Sequence, residues 1–188
     1  MKRIISVLLF GLVPSAFAQD PIMDSMRFLC QDAKTDPVAS AEKADETLYA
    51  FKPADETRTL AQQLAHIADT NYLLCSASRG DDNPYPGAAP GIQGLLERTK
   101  TNKTEISEAV KASFQFCDAA FASASDASLS ELVELSTPGG TATMPRASVL
   151  NLAIYHAGRH YGSIATYFRL NGRVPPSTEA VLAEGSTH

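Results

Sequence analysis

Apart from the terminal His188, the chain carries three histidines, and two of them, His156 and His160, stand four residues apart. On a helix that spacing puts both imidazoles on one face, with Cβ atoms about 5–6 Å apart. Two imidazole nitrogens at roughly 2.0–2.1 Å can then reach one Zn, Ni or Fe ion. Core packing produces the same pair, so the spacing alone leaves both readings open. The third histidine, His66, shares a face with Gln62, Gln63, Asp69, Thr70 and Leu73, beside the apolar stripe of Leu60, Leu64 and Ile67. Such a seam suits a histidine lining a cavity and equally a half-exposed surface histidine. Three nitrogens drawn from two helices leave a metal an open position for water or substrate, as catalytic sites require. Asp69, one turn beyond His66, is a candidate hydrogen-bond acceptor for a ligand ring; an exposed carboxylate is the plainer reading of it.

Other chemistries lack their residues. The pair reads His156-Ala157-Gly158-Arg159-His160, so Ala157 stands where a zincin protease carries its glutamate base. Neither of the two E-x-x-H motifs of a ferritin-like di-iron site occurs. No G-x-S-x-G, P-loop or dinucleotide fingerprint is present. Tyr155, Arg159 and Tyr161 flank the pair, and none of them is assigned a proton-transfer role.

The elements that must position these histidines read as helices almost throughout. Met26, Leu29, Cys30 and Ala33 form one stripe; Asp36-Pro37 is either a cap with a first-turn proline or a kink, and the pattern resumes to about Ala44. Thr47 to Pro53 shows no helical repeat and is expected to be extended. A second helix is expected from about Asp55 to about Ser78. Arg79 to Pro90, with three Pro and two Gly, is loop. A long third helix is expected from Ile92 to Phe121, with Glu97, Lys100, Glu105 and Glu108 on a solvated face. Thr137 to Thr141 turns a small hairpin within Leu132 to Met144. A fourth helix, capped by Thr143 with Pro145 in its first turn, runs to about Leu170 and closes at Asn171-Gly172. The tail beyond Pro176 is expected to be loose. The sum is an all-α four-helix bundle with a small hairpin before the last helix.

Composition agrees with one globular domain. The chain has 188 residues, 44% of them hydrophobic and 20% charged, with a formal net charge of -5. That charge gives no reason to expect nucleic acid or an anionic membrane as partner. Residues 1–18 read as a signal peptide: Lys2 and Arg3, an apolar run from Ile4 to Val13, then Ala16-Phe17-Ala18. The run falls short of the roughly 20 residues of a transmembrane helix, and no cysteine follows it to carry a lipid. Cleavage after Ala18 leaves a periplasmic or secreted chain from Gln19 with a charge of -7, since Lys2 and Arg3 are lost. The domain is expected over 19–180, with 181–188 as tail. Cys30, Cys75 and Cys117 allow one internal disulfide in any of three pairings; Cys117, among Phe114, Phe116 and Phe121, reads as a small buried hydrophobe.

The residues Leu64-Ala65-His66-Ile67-Ala68-Asp69 and Tyr155-His156-Ala157-Gly158-Arg159-His160-Tyr161-Gly162 resemble the DinB-like superfamily. So do Leu48-Tyr49-Ala50-Phe51-Lys52-Pro53 and the exit from Tyr167 through Asn171-Gly172-Arg173-Val174-Pro175-Pro176-Ser177. The resemblance runs from about Ala41 to Ser177. It implies a bundle of up-down-down-up order and one divalent metal (Zn, Ni, Fe or Mn) held by His66, His156 and His160. It also implies thiol S-transferase or isomerase activity in some members, and frequent homodimers. The expectation is an exported protein holding one divalent transition metal through three histidines, as a hydrolase or thiol S-transferase of a small molecule. The alternative is a helical bundle that binds a metal or a partner without catalysis.

Overall fold

Pro21 opens the first helix, α1 (Pro21–Lys43), at a position where its missing N–H costs nothing. The N–H groups of Ile22 and Met23 donate to the carboxylate of Asp126, and Asp126 N–H donates to Asp20 in return. This computed structural model describes residues 20–87 and 92–185. The signal peptide and the cleavage point expected after Ala18 lie outside the described residues, as do 88–90 of the expected loop and the last three residues of the expected tail. Helix α1 passes through Pro37 without ending, so Asp36-Pro37 starts no new helix.

The segment expected to be extended is instead a short helix, α2 (Glu46–Ala50). Asp45 caps it by accepting from Leu48 N–H at 2.9 Å, and Leu48 and Tyr49 are both buried by the turn. Helix α3 (Leu60–Arg79) begins five residues later than Asp55 would place it, because Thr59 and Gln62 form a reciprocal capping box. Gly80, left-handed at φ 75°, ends it.

The long third helix is two. Helix α4 (Leu95–Thr99) stops at Lys100, and α5 (Lys103–Ser123) starts afresh where Asn102 accepts from Glu105 N–H at 2.9 Å. Strands β1 (Leu132–Thr137) and β2 (Gly140–Pro145) form the expected hairpin, antiparallel with Thr137 opposite Gly140. Thr143 pairs with Glu134 in that ladder and caps nothing. Helix α6 (Arg146–Leu170) begins behind Pro145, its first N–H groups donating to Glu131 O and Leu129 O. It ends at Asn171-Gly172 as expected, with Gly172 at φ 65°. The expected loose tail is in fact helix α7 (Pro176–Gly185), begun by a first-turn proline and tied back by Tyr161 to Ser177 and Arg169 to Thr178.

Pairwise contacts fix the bundle order. Arg27 meets Phe121, Lys34 meets Asp118 and Glu42 meets Lys111, so α1 and α5 run antiparallel. Asn71 meets Ser113 and Cys75 is bonded to Cys117, so α3 and α5 run parallel. Gln63 meets Tyr167, and Ser78 meets Arg146, so α3 and α6 run antiparallel. Lys43 lies over the Phe168 ring while Cys30 sits beside Ala153, so α1 and α6 run parallel. The order is up-down-down-up. Helix α3 is buried along nearly its whole length between α5 and α6, which is why its polar residues need internal partners.

The Cys75–Cys117 disulfide joins α3 to α5 with Cα atoms 5.3 Å apart. Cys117 is thus buried, but as half of a bridge rather than as a free thiol. Cys30 is the remaining thiol, buried and pushed up to about 11 by burial first and by Asp118 second. Among the described residues no helix is long and apolar enough to cross a membrane.

Candidate metal centre

The three histidines meet where α3 crosses the middle of α6. One nitrogen from each ring lies within 4.8 Å of one from both others. His66 Nε2 and His156 Nε2 are 3.2 Å apart, and the three ring centroids are separated by 4.3, 4.7 and 5.0 Å. His66 is 5% exposed and His160 9%, with His156 half-buried. Antiparallel helices make this work: His156 and His160 present one face of α6 to the single turn of α3 that carries Gln63 and His66.

Two of the rings are oriented from behind. Gln63 donates its amide N–H to the Tyr167 hydroxyl (3.3 Å), and that hydroxyl donates to the backbone oxygen of Arg58 (2.9 Å). The Gln63 oxygen is then the atom 2.6 Å from His160 Nδ1. An amide oxygen only accepts, so Nδ1 carries the proton and Nε2 the lone pair. Behind His66 stands Glu97, its Oε2 3.3 Å from Nδ1. Their alignment falls short of a hydrogen bond, yet both atoms are buried and have no other partner among the described residues. The carboxylate side chain is fully buried and held at Oε1 by Arg58 Nε (2.8 Å) and Gln93 (3.1 Å).

Charges follow from these partners. Burial alone would raise the Glu97 carboxyl, but His66 and Arg58 outweigh it and hold the group below its ordinary range, hence ionised. Burial, then the neighbouring histidines and the charges of Arg159 and Arg58, push His156 down to about 2. Burial, then His66 and the charges of Arg58 and Arg159, push His160 down to about 4 against the opposing charge of Glu97. Both rings are neutral at pH 7, with lone pairs free to ligate.

Asp69 is neither an exposed carboxylate nor a partner of a histidine ring. It is fully buried and caps α4, accepting from Leu96 N–H (2.9 Å) and Glu97 N–H (2.8 Å). Burial raises its carboxyl while those two N–H groups pull it back. Gly94 makes the cap feasible, since a Cβ there would lie 2.2 Å from Asp69 Cγ. Asp69 thus places α4, and α4 places Glu97. The expectation of Glu97 on a solvated face rests on one continuous helix through α4 and α5; Asn102 followed three residues later by Glu105, a capping pair, is the signal against that continuity. Of the flanking residues, Tyr155 is exposed and Tyr161 bonds Ser177.

The donor set fits a divalent transition ion. Three imidazoles converge, with the Gln63 oxygen on Nδ1 of His160 and the Glu97 carboxylate facing Nδ1 of His66, the outer arrangement metal-ligating histidines carry. The buried Nδ1 of His156 has no partner among the described residues. A cavity of about 390 Å³ opens beside His160 and Gln63, lined also by Arg58, Arg159, Ser163 and Tyr167.

A comparison with curated proteins finds no match. Among solved structures, a DinB-like protein from Bacillus cereus is similar at 13% identity and a TM-score of 0.64, over 81% of this chain and 95% of that one. A conserved protein from Enterococcus faecalis is similar at 15% identity and 0.61, over 79% and 96%. The mycothiol-dependent maleylpyruvate isomerase is similar at 18% identity and 0.59, over 76% of this chain and 60% of that one. These likenesses establish the fold. With its helices in up-down-down-up order and residues 34–164 matching the family model, the chain belongs to the DinB superfamily.

Proposed function

We propose that this chain is an exported metal-dependent enzyme that holds one divalent transition metal (Zn, Ni, Fe or Mn) through His66, His156 and His160. Its reaction is hydrolysis or thiol transfer on a small molecule. The observation that carries the reading is the convergence of three imidazoles, two with Nδ1 faced from behind by Glu97 and Gln63. A bound ion supplies a Lewis acid, which lowers the pKa of a water or thiol at its open position. The chain's own part is to fix the tautomer of His160, to keep His156 and His160 unprotonated, and to leave room for a ligand beside His160. Thiol transfer draws support from the mycothiol-dependent isomerase among the structural neighbours.

Export draws support from two independent features. The charged, apolar and small-residue segments of 1–18 have the order of a secretory signal. The buried Cys75–Cys117 bridge suits an oxidising compartment. A non-catalytic metal-binding role is the second reading, favoured by one observation: the cavity touches His160 but neither His66 nor His156. Turnover decides between them. Ester hydrolysis and thiol transfer are assayed with the metal-loaded mature chain, the chelated chain and His156→Ala. Activity confined to the loaded wild type supports the enzyme; a stable metal complex inert toward both substrate classes supports the second reading.

A further inference from the structure

Two guanidinium groups line the cavity beside His160, Arg58 from the segment entering α3 and Arg159 from α6. Arg159 immediately precedes His160 in the chain and is exposed. No hydrogen bond or ion pair engages it among the described residues. Arg58 spends Nε on Glu97, and no contact within the chain occupies its two terminal nitrogens among the described residues. Glu56 is the one carboxylate on the lining, so the wall carries more positive than negative charge. That excess runs against the chain as a whole, whose formal net charge is -5. The Ser163 hydroxyl, half-buried on the same wall, adds a donor that no hydrogen bond engages among the described residues.

We propose that Arg58 and Arg159 form an oxyanion subsite beside His160, which selects small molecules bearing a carboxylate or phosphate group. A planar guanidinium fork matches both groups bidentately, and such charge-assisted bonds are roughly twice as strong as neutral ones. The volume of about 390 Å³ admits a molecule of metabolite size. Arg58 links the two functions, since the guanidinium that faces the anion also steadies the carboxylate behind His66. The subsite deepens the proposed function by naming its substrate class, and it rests on that reading only for its place beside the chemistry.

Calorimetric titration of the mature chain tests it, with inorganic phosphate, succinate and neutral succinamide as probes, first on chelator-treated protein and then on metal-loaded protein. Arg159→Gln, an exposed substitution, removes one fork without touching Glu97. Arg98→Gln is the control, because Arg98 is exposed and lines a separate groove. The expected result is binding of phosphate or succinate with a dissociation constant below about 1 mM and none of succinamide. Arg159→Gln weakens that binding at least about tenfold, and Arg98→Gln leaves it unchanged. The stronger probe tells a phosphate-bearing from a carboxylate-bearing substrate. Failure of both anions to bind, equal binding by Arg159→Gln, or loss in Arg98→Gln instead overturns the subsite. Metal content read in parallel separates the claims: a metal-free chain that still takes the anion keeps the subsite and sinks the metal centre. A metal-bearing chain that ignores both anions does the reverse.

Discussion

Glu97 Oε2 lies 3.3 Å from His66 Nδ1 although the two residues come from different helices, and a third residue, Asp69, sets the distance by capping the helix that bears Glu97. The carboxylate faces the Nδ1 edge of the His66 ring. Replacing it by the isosteric amide keeps the volume and removes the charge. Glu97→Gln should therefore weaken metal binding by about 10–100-fold, measured by competition with a chromophoric chelator, while the far-ultraviolet spectrum stays helical.

The cap itself has a steric requirement. Alanine at Gly94 would set its Cβ 2.2 Å from Asp69 Cγ, closer than any van der Waals contact. Either the α4 segment or Asp69 must shift, and both lie in packed surroundings. Gly94→Ala should cost about 1–3 kcal/mol, read as a lower urea midpoint, and should also weaken metal binding because Glu97 moves with α4.

Much of this was legible in the sequence, and the gaps have physical causes. The four long helices, the hairpin and the three histidines follow from apolar spacing and turn residues, which are local signals. Helix α2 was hidden because five residues carry no periodicity; its cap at Asp45 is local, but the burial of Leu48 and Tyr49 comes from tertiary contact. Asp69 and Glu97 looked like surface carboxylates because side-chain chemistry alone does not reveal that a neighbouring helix N-terminus or a histidine waits for them. Cys117 paired with Cys75 rather than standing alone because α3 and α5 run parallel, a relation between helices that no spacing encodes.

The bridge closes a separation of 42 residues, which the chain-entropy account values at about 4 kcal/mol. The double variant Cys75→Ala/Cys117→Ala should lose about 2–4 kcal/mol by denaturant titration. Alkylation of the unreduced wild type should modify one thiol, Cys30, after unfolding and none before, since Cys30 is buried and its thiol is held protonated.

Stability of the metal-free protein should depend on pH with a definite sign. His156 and His160 titrate at about 2 and about 4 when folded, against an ordinary 6.5. Below pH 6.5 the unfolded chain binds more protons than the folded one, so stability falls as pH drops through 6.5 and continues to fall toward about 4. The slope from each ring is at most about 1.4 kcal/mol per pH unit. Urea midpoints of chelated protein at about pH 7.5 and about pH 5.5 check this, and His156→Ala should flatten the difference.

Metal content tests the central claim most directly. The mature chain, purified without chelator or histidine tag from an export-competent host, is analysed by elemental mass spectrometry beside His156→Ala. The account predicts close to one equivalent of a transition metal in the wild type and its loss in the variant. No metal in either protein, even after Zn, Ni and Fe are added back, would contradict it.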